Sequence, residues 1–228
     1  MPRTVIFDFD GTIALGDGPV DAYARGVIAL ADAPGLDAAI SRSRERLAAD
    51  PRSFRDGYDA VASAARDAGV DEPTLSAAYR RSRDLLATAD APVNGAPGLA
   101  EFLGRLGARA ALVLVTNAPP TQVPEALSQL GVANAFTRRV CSAGKPEGLA
   151  AQVAAALERG PVLSVGDIDE FDLAPARALG ADTALVGATA AHEGHRATFA
   201  ASRLEDLYAD IEMWVSAPAP IPHAPAGT

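Results

Sequence analysis

The stretch Thr4-Val5-Ile6-Phe7-Asp8-Phe9-Asp10-Gly11-Thr12 constrains this chain more than any other. Residues 4–7 are β-branched or aromatic and suit a buried strand. That strand runs straight into two carboxylates. Unpaired charge inside a core is very costly, so Asp8 and Asp10 must be delivered to a cleft or a metal. Side chains alternate along an extended backbone, which puts Asp8 and Asp10 on one side and turns Phe9 back into protein. Gly11 then permits the turn that lets the backbone approach a ligand. A D-x-D pair alone is also a common turn former; the apolar approach and the Gly-Thr exit make this string specific.

Two regimes follow it. From about residue 19 to 89 the pattern is helical, with breaks at Pro34-Gly35, Asp50-Pro51, Gly69 and Pro73. The last of these helices is the clearest: Leu75, Ala78, Tyr79, Ser82, Leu85 and Leu86 share a face, and Arg80, Arg81 and Arg83 are expected outside it. Start signals for this helix lie at Asp71 to Thr74. From Gly98 onward, strands and helices alternate. Strands are expected at 110–115, 137–141, 162–165 and 183–186, and helices at 99–106, 123–130, 146–158, 173–179 and 204–214. Such alternation argues for a parallel sheet covered on both faces. The expected architecture is therefore a doubly wound, Rossmann-like α/β core, residues 1–14 and 95–215, with an all-helical domain, 15–94, inserted after the first strand. Gly16-Asp17-Gly18-Pro19 and residues 91–97 read as its two linkers, and 216–228 as a disordered tail.

Composition narrows the function classes. A net charge of −9 argues against a general nucleic-acid binder, whose footprint is basic. The single cysteine, Cys141, excludes an intramolecular disulfide and fits a reducing cytoplasm. No apolar run approaches the length of a membrane span or a signal segment.

In open parallel sheets ligands sit at the carboxyl ends of the strands. Those ends carry Asp8 and Asp10, then Thr116-Asn117, then the neighbourhood of Lys145, then Asp167 to Asp172. Carboxylates from two strands suit a hard cation such as Mg²⁺. A hydroxyl and backbone N–H groups at Thr116-Asn117 suit phosphate oxygens, and a lysine supplies a compact positive charge. Lys145 is the sharpest single residue: of 20 basic residues it is the one lysine, set in Gly144-Lys145-Pro146 just ahead of a helix.

These four strings, in this order over residues 1 to about 190, resemble the motifs of the haloacid dehalogenase-like (HAD) hydrolases. The resemblance implies Asp8 as nucleophile and Asp10 as general acid/base. Thr116 and Lys145 then contact the transferred group, with Gly11 and Asn117 beside it. It implies Mg²⁺ held by the Asp8 side chain, the Asp10 backbone carbonyl and Asp167, with Asp172 as the distal acid and Asp169 and Glu170 as rivals for that role. The inserted helices resemble the family's C1-type cap. Dehalogenases resemble this fold but lack the second Asp, so Asp10 points to phosphate chemistry. Related phosphonate hydrolases need a cap lysine, and sugar-phosphate mutases usually carry a cap His or Lys; residues 15–94 contain neither. The implied activity is a Mg²⁺-dependent phosphatase for a small phosphorylated metabolite. A phosphotransferase or phosphomutase using the same intermediate, or a non-catalytic phospho-ligand module, stands as the alternative. Arg55, in Arg52-Ser53-Phe54-Arg55, is the candidate substrate reader of the cap, against a solvated face that balances thirteen cap acids. His192 and His195 lack the helix-borne H-E-x-x-H order and read as loop residues.

Overall fold

The computed structural model describes residues 2–192 and 194–217. Six strands form its sheet: β1 (Arg3–Phe7), β2 (Ala110–Val115), β3 (Arg138–Val140), β4 (Val162–Gly166), β5 (Asp182–Val186) and β6 (Phe199–Ala201). All pairings are parallel and the spatial order is β3-β2-β1-β4-β5-β6. β1 is central, with Phe7 opposite Leu114 on one side and Val165 on the other. The winding direction reverses between β1 and β4, so the ligand-binding crevice of such a sheet falls at the end of β1.

Period-two alternation builds the two faces. Val5, Phe7, Leu112, Leu114, Leu163 and Val165 join one core with Phe102 of α5 (Leu99–Gly107), Leu127 of α6 (Val123–Gln129) and Ile211 of α9 (Tyr208–Ser216). Ile6, Val113 and Val115 face the other way, onto Leu149 and Val153 of α7 (Glu147–Leu157) and Ala176 of α8 (Ala174–Ala178). The central strand is covered on both sides, as its unbroken apolar run requires.

Four helices separate β1 from α5: α1 (Gly18–Leu30), α2 (Leu36–Ala49), α3 (Gly57–Asp67) and α4 (Glu72–Asp84). They bury a core of their own, with Tyr23, Val27, Ile40, Val61, Leu75 and Ala78. α3 and α4 start at capping acids: Asp56 accepts from the Asp59 N–H at 2.7 Å and Asp71 from the Thr74 N–H at 2.9 Å. The two linkers lie side by side. Leu15 and Asn94 exchange backbone hydrogen bonds of 2.7 and 2.9 Å, so the chain leaves and re-enters the sheet layer at one place.

Several boundaries differ from the sequence expectation. β6 has no counterpart in it, because three residues, two of them Ala, are too few to show a strand period; pairing with the edge of β5 makes the segment a strand. The expected 204–214 helix is a 3₁₀ turn, Leu204–Leu207, followed by α9, and the 173–179 helix is a wide π turn, Asp169–Leu173, leading into the short α8. α4 ends at Asp84, ahead of Leu85 and Leu86. Of the expected tail, Ser216 closes α9, and 218–228 lie outside the described residues. Among the described residues no helix is long and apolar enough to cross a membrane.

Candidate active site

The carboxyl ends of β1, β2 and β4 converge with the loop before α7. Lys145, 9% exposed, is the hub. Its Nζ donates to Asp8 Oδ1 at 2.5 Å and to Asp172 Oδ1 at 2.7 Å. The Lys145 backbone N–H donates to Asn117 Oδ1 at 2.7 Å, which ties this loop to the end of β2. Burial works against the charge of Lys145, but the Asp8 and Asp172 carboxylates outweigh it and hold the ammonium above its ordinary pKa. Burial pushes Asp8 up to about 7; Lys145 pulls against that rise and Asp172 adds to it. Asp167 is raised well above the ordinary carboxylate range, first by burial and then by the Asp8 and Asp172 charges.

Carboxylate oxygens of Asp8, Asp167 and Asp172 lie within 4.8 Å of one another. Their remaining bonds distinguish them. Asp172 Oδ1 already accepts from Lys145, and its Oδ2 accepts from the Ile168 N–H at 3.0 Å. Among the described residues the one side-chain donor that reaches the Asp167 carboxylate is the Thr12 hydroxyl, at 3.5 Å. Three clustered carboxylates with one ammonium among them are short of positive charge, and Asp167 is short of donors. A divalent cation fits both deficits. Gly11 makes room for the cluster: its φ is +81°, and a Cβ there would stand 2.3 Å from Asp167 Oδ2. At Gly166 a Cβ would stand 2.3 Å from the Asp172 Cβ.

Thr116 is buried at the end of β2. Its Oγ1 accepts from the Ala118 N–H at 3.0 Å, which leaves the hydroxyl proton to be donated. Thr116, Asn117, Asp8, Asp10, Lys145 and Asp172 all border one cavity of ≈ 170 Å³. Asp169, a sequence rival of Asp172, is instead held by Arg177 through two 3.0 Å bonds, and Glu170 is exposed.

The helical segment closes over this cavity. Asp56, Tyr58 and Tyr79 line it, none of them a candidate site residue by sequence, although the helical period put Tyr79 on the inner face. Arg83 is the clearest correction. Expected on the outer face of α4, it is fully buried and its Nη1 donates to Asp10 Oδ1 at 2.9 Å. The helical period carried the signal, since Leu75, Tyr79 and Arg83 are successive i, i+4 positions; its polarity alone argued for solvent. Arg55 is half exposed and bridged to Asp59 at 2.9 Å, with its guanidinium 5.4 Å from the centre of the Phe171 ring. It borders a larger cavity of ≈ 550 Å³ that reaches Gly11 and Asp167. His192 and His195 border a further cavity beside it.

A doubly wound α/β core with a carboxylate–lysine centre at its switch point defines a Rossmann-like enzyme of the hydrolase type. The model of the haloacid dehalogenase-like hydrolases matches residues 2–180, and this chain belongs to that family. No curated protein matches the chain. Among solved structures it is similar to the HAD-hydrolase YfnB of Bacillus subtilis, a magnesium-bound structure, at 18% identity and TM-score 0.61 over 92% of this chain and 98% of that one. It is similar to a 2-haloacid dehalogenase of Pseudomonas syringae at 20% identity and TM-score 0.55, over 94% and 100% of the two chains. A HAD phosphatase of Thermococcus onnurineus matches at 19% identity and TM-score 0.54, over 92% and 97%. At such identities the likeness carries the fold and leaves the substrate open.

Proposed function

We propose that this hydrolase is a Mg²⁺-dependent phosphatase for small phosphorylated metabolites, with the cytoplasm as its setting. The observation that supports it is the second carboxylate: Asp10 borders the same cavity as Asp8, where an alkoxide leaving group needs a proton and a halide does not. Asp8 attacks phosphorus in line, and the alkoxide departs with the Asp10 proton. Water then attacks the aspartyl-phosphate and returns its proton to Asp10. The Thr116 hydroxyl and the Lys145 ammonium bond the non-bridging oxygens. Asp8, Asp167 and Asp172 would hold Mg²⁺, whose charge would offset that of the phosphoryl group. Residues 15–94 act as a C1-type cap, the paired Leu15 and Asn94 marking its hinge, and exclude water while Asp8 is attacking. Hydrolysis of p-nitrophenyl phosphate and of a phosphometabolite panel, with Mg²⁺ and with chelator, tests the reading. Turnover of 2-chloroacetate with no phosphatase activity would replace it with dehalogenation.

Metal binding is expected to be proton-linked. The Asp8 carboxyl is held near 7 against an ordinary 3.8, so the fold keeps a proton that the unfolded chain releases. Its contribution to stability therefore falls as pH rises from near 4 through 7. The ionised Asp8 carboxylate would be the form that binds Mg²⁺, so metal binding would release that proton. The rise in Tm on adding Mg²⁺ should grow between about pH 5.5 and about pH 8, while the metal-free protein loses stability over the same window. Thermal melts with and without Mg²⁺ measure it, and a pH-independent rise would contradict the assignment.

A further inference from the structure

Arg83 is the largest of the fully buried side chains among the described residues. A structural arginine in a core is normally saturated with acceptors, because burying an under-bonded guanidinium is costly. This one is not saturated. Nη1 serves Asp10 Oδ1 at 2.9 Å and the Tyr58 hydroxyl at 3.4 Å, whereas among the described residues Nε and Nη2 have no protein partner. The guanidinium lies 5.9 Å from the centre of the Phe9 ring. Tyr58 and Tyr79 are packed edge to face at 5.6 Å, and Tyr23 completes their cluster. The residue thus stands in the last turn of α4, inside the helical segment, and its bond crosses to the β1 loop of the core. The Asp10 side chain it meets is 30% exposed, so a carboxylate left without Arg83 still reaches water.

We propose that Arg83 is a positioning residue for Asp10. It fixes one carboxylate oxygen, so that the other faces the departing oxygen of the substrate, and it does so only when α4 is seated on the end of β1. Proton delivery is thereby tied to closure of the helical segment over the cavity. The fold buries an arginine with protein partners on Nη1 alone to keep this contact. The kinetic part of the inference rests on the phosphatase reading of Asp10; the stability part does not.

The test is Arg83→Met, which keeps most of the volume and removes the charge. The expected Tm is at or above that of the wild type, because an under-bonded buried charge has been replaced by an apolar chain. For an alkyl phosphate, whose leaving group needs the proton, kcat should fall by roughly 10- to 100-fold with KM little changed. For p-nitrophenyl phosphate, whose leaving group does not, the fall should stay below about 3-fold. In an Asp10→Asn background Arg83→Met should add no further loss, and Arg83→Lys should recover part of the alkyl phosphate rate. A Tm drop of about 5 °C or more with equal losses on both substrates would make Arg83 a structural residue and overturn the inference. So would additive losses in the Asp10→Asn background. If the wild type hydrolyses no phosphomonoester at all, the phosphatase reading fails by itself. The Tm comparison then decides alone: a melt at or above wild type supports a non-structural Arg83, and a lower one overturns it.

Discussion

Under the proposed phosphatase reading, Asp8→Asn is expected to lower kcat by roughly 10⁴-fold or more while the protein stays folded, because an amide cannot attack phosphorus. The structure separates the two effects. Asp8 is an acid that burial already pushes toward its neutral form, so a neutral isostere is tolerated there. Lys145 keeps its second carboxylate, Asp172, at 2.7 Å and is not left as an unpaired buried charge. The melting temperature should therefore stay within a few degrees of wild type at neutral pH. Kinetics must be read on protein checked for deamidation, since a trace of restored Asp8 imitates residual activity. More than about 1% of the wild-type rate in verified Asn protein would remove Asp8 from the nucleophile's place.

Lys145→Ala is expected to damage both stability and rate. The ammonium sits between Asp8 and Asp172 with its side chain only 3% exposed, and removing it leaves the acid cluster facing itself. Breaking a buried pair in this way typically costs about 3–5 kcal/mol. Catalytic efficiency should fall by about 10³-fold, or about 4 kcal/mol, through loss of the charge on the transferring oxygens. Added Mg²⁺ should restore part of the stability, since it also neutralises the cluster, but not the rate. Lys145→Arg should fare little better: a planar fork does not fit a seat whose acceptors stand 2.5 and 2.7 Å from one ammonium. The comparison needs melts and kcat/KM for both variants, with and without Mg²⁺. A wild-type rate in the alanine variant would mean that the lysine serves only to neutralise Asp8 and Asp172.

The sequence by itself determined β1 to β5 and most of what their carboxyl ends present. An apolar run that stops abruptly at polar residues can be folded in few ways, so 4–7, 110–115 and 162–165 announced both buried strands and the polar residues after them. The solitary lysine stood out by composition, and its neighbours Asp8 and Asp172 were named from the same motifs. Tertiary structure alone decided what crosses between chain segments. The motif favoured Asp172 but left Asp169 and Glu170 as rivals; the turn at Asp169–Leu173 carries Asp172 inward to Lys145 and leaves Asp169 to Arg177. Arg55 resembled a substrate reader by its place in the helical segment; packing sets it at the edge of the cavity that reaches Gly11 and Asp167, with Asp59 as its ion-pair partner. Arg83 resembled a surface residue, because charge patterning assumes that an arginine goes to water unless a partner is visible nearby. Its partner lies 73 residues away in sequence, and only the seating of α4 on the end of β1 brings the two together. Local pattern reports which side chains need burial or solvent; which buried charge meets which depends on packing between elements, and no local period encodes that.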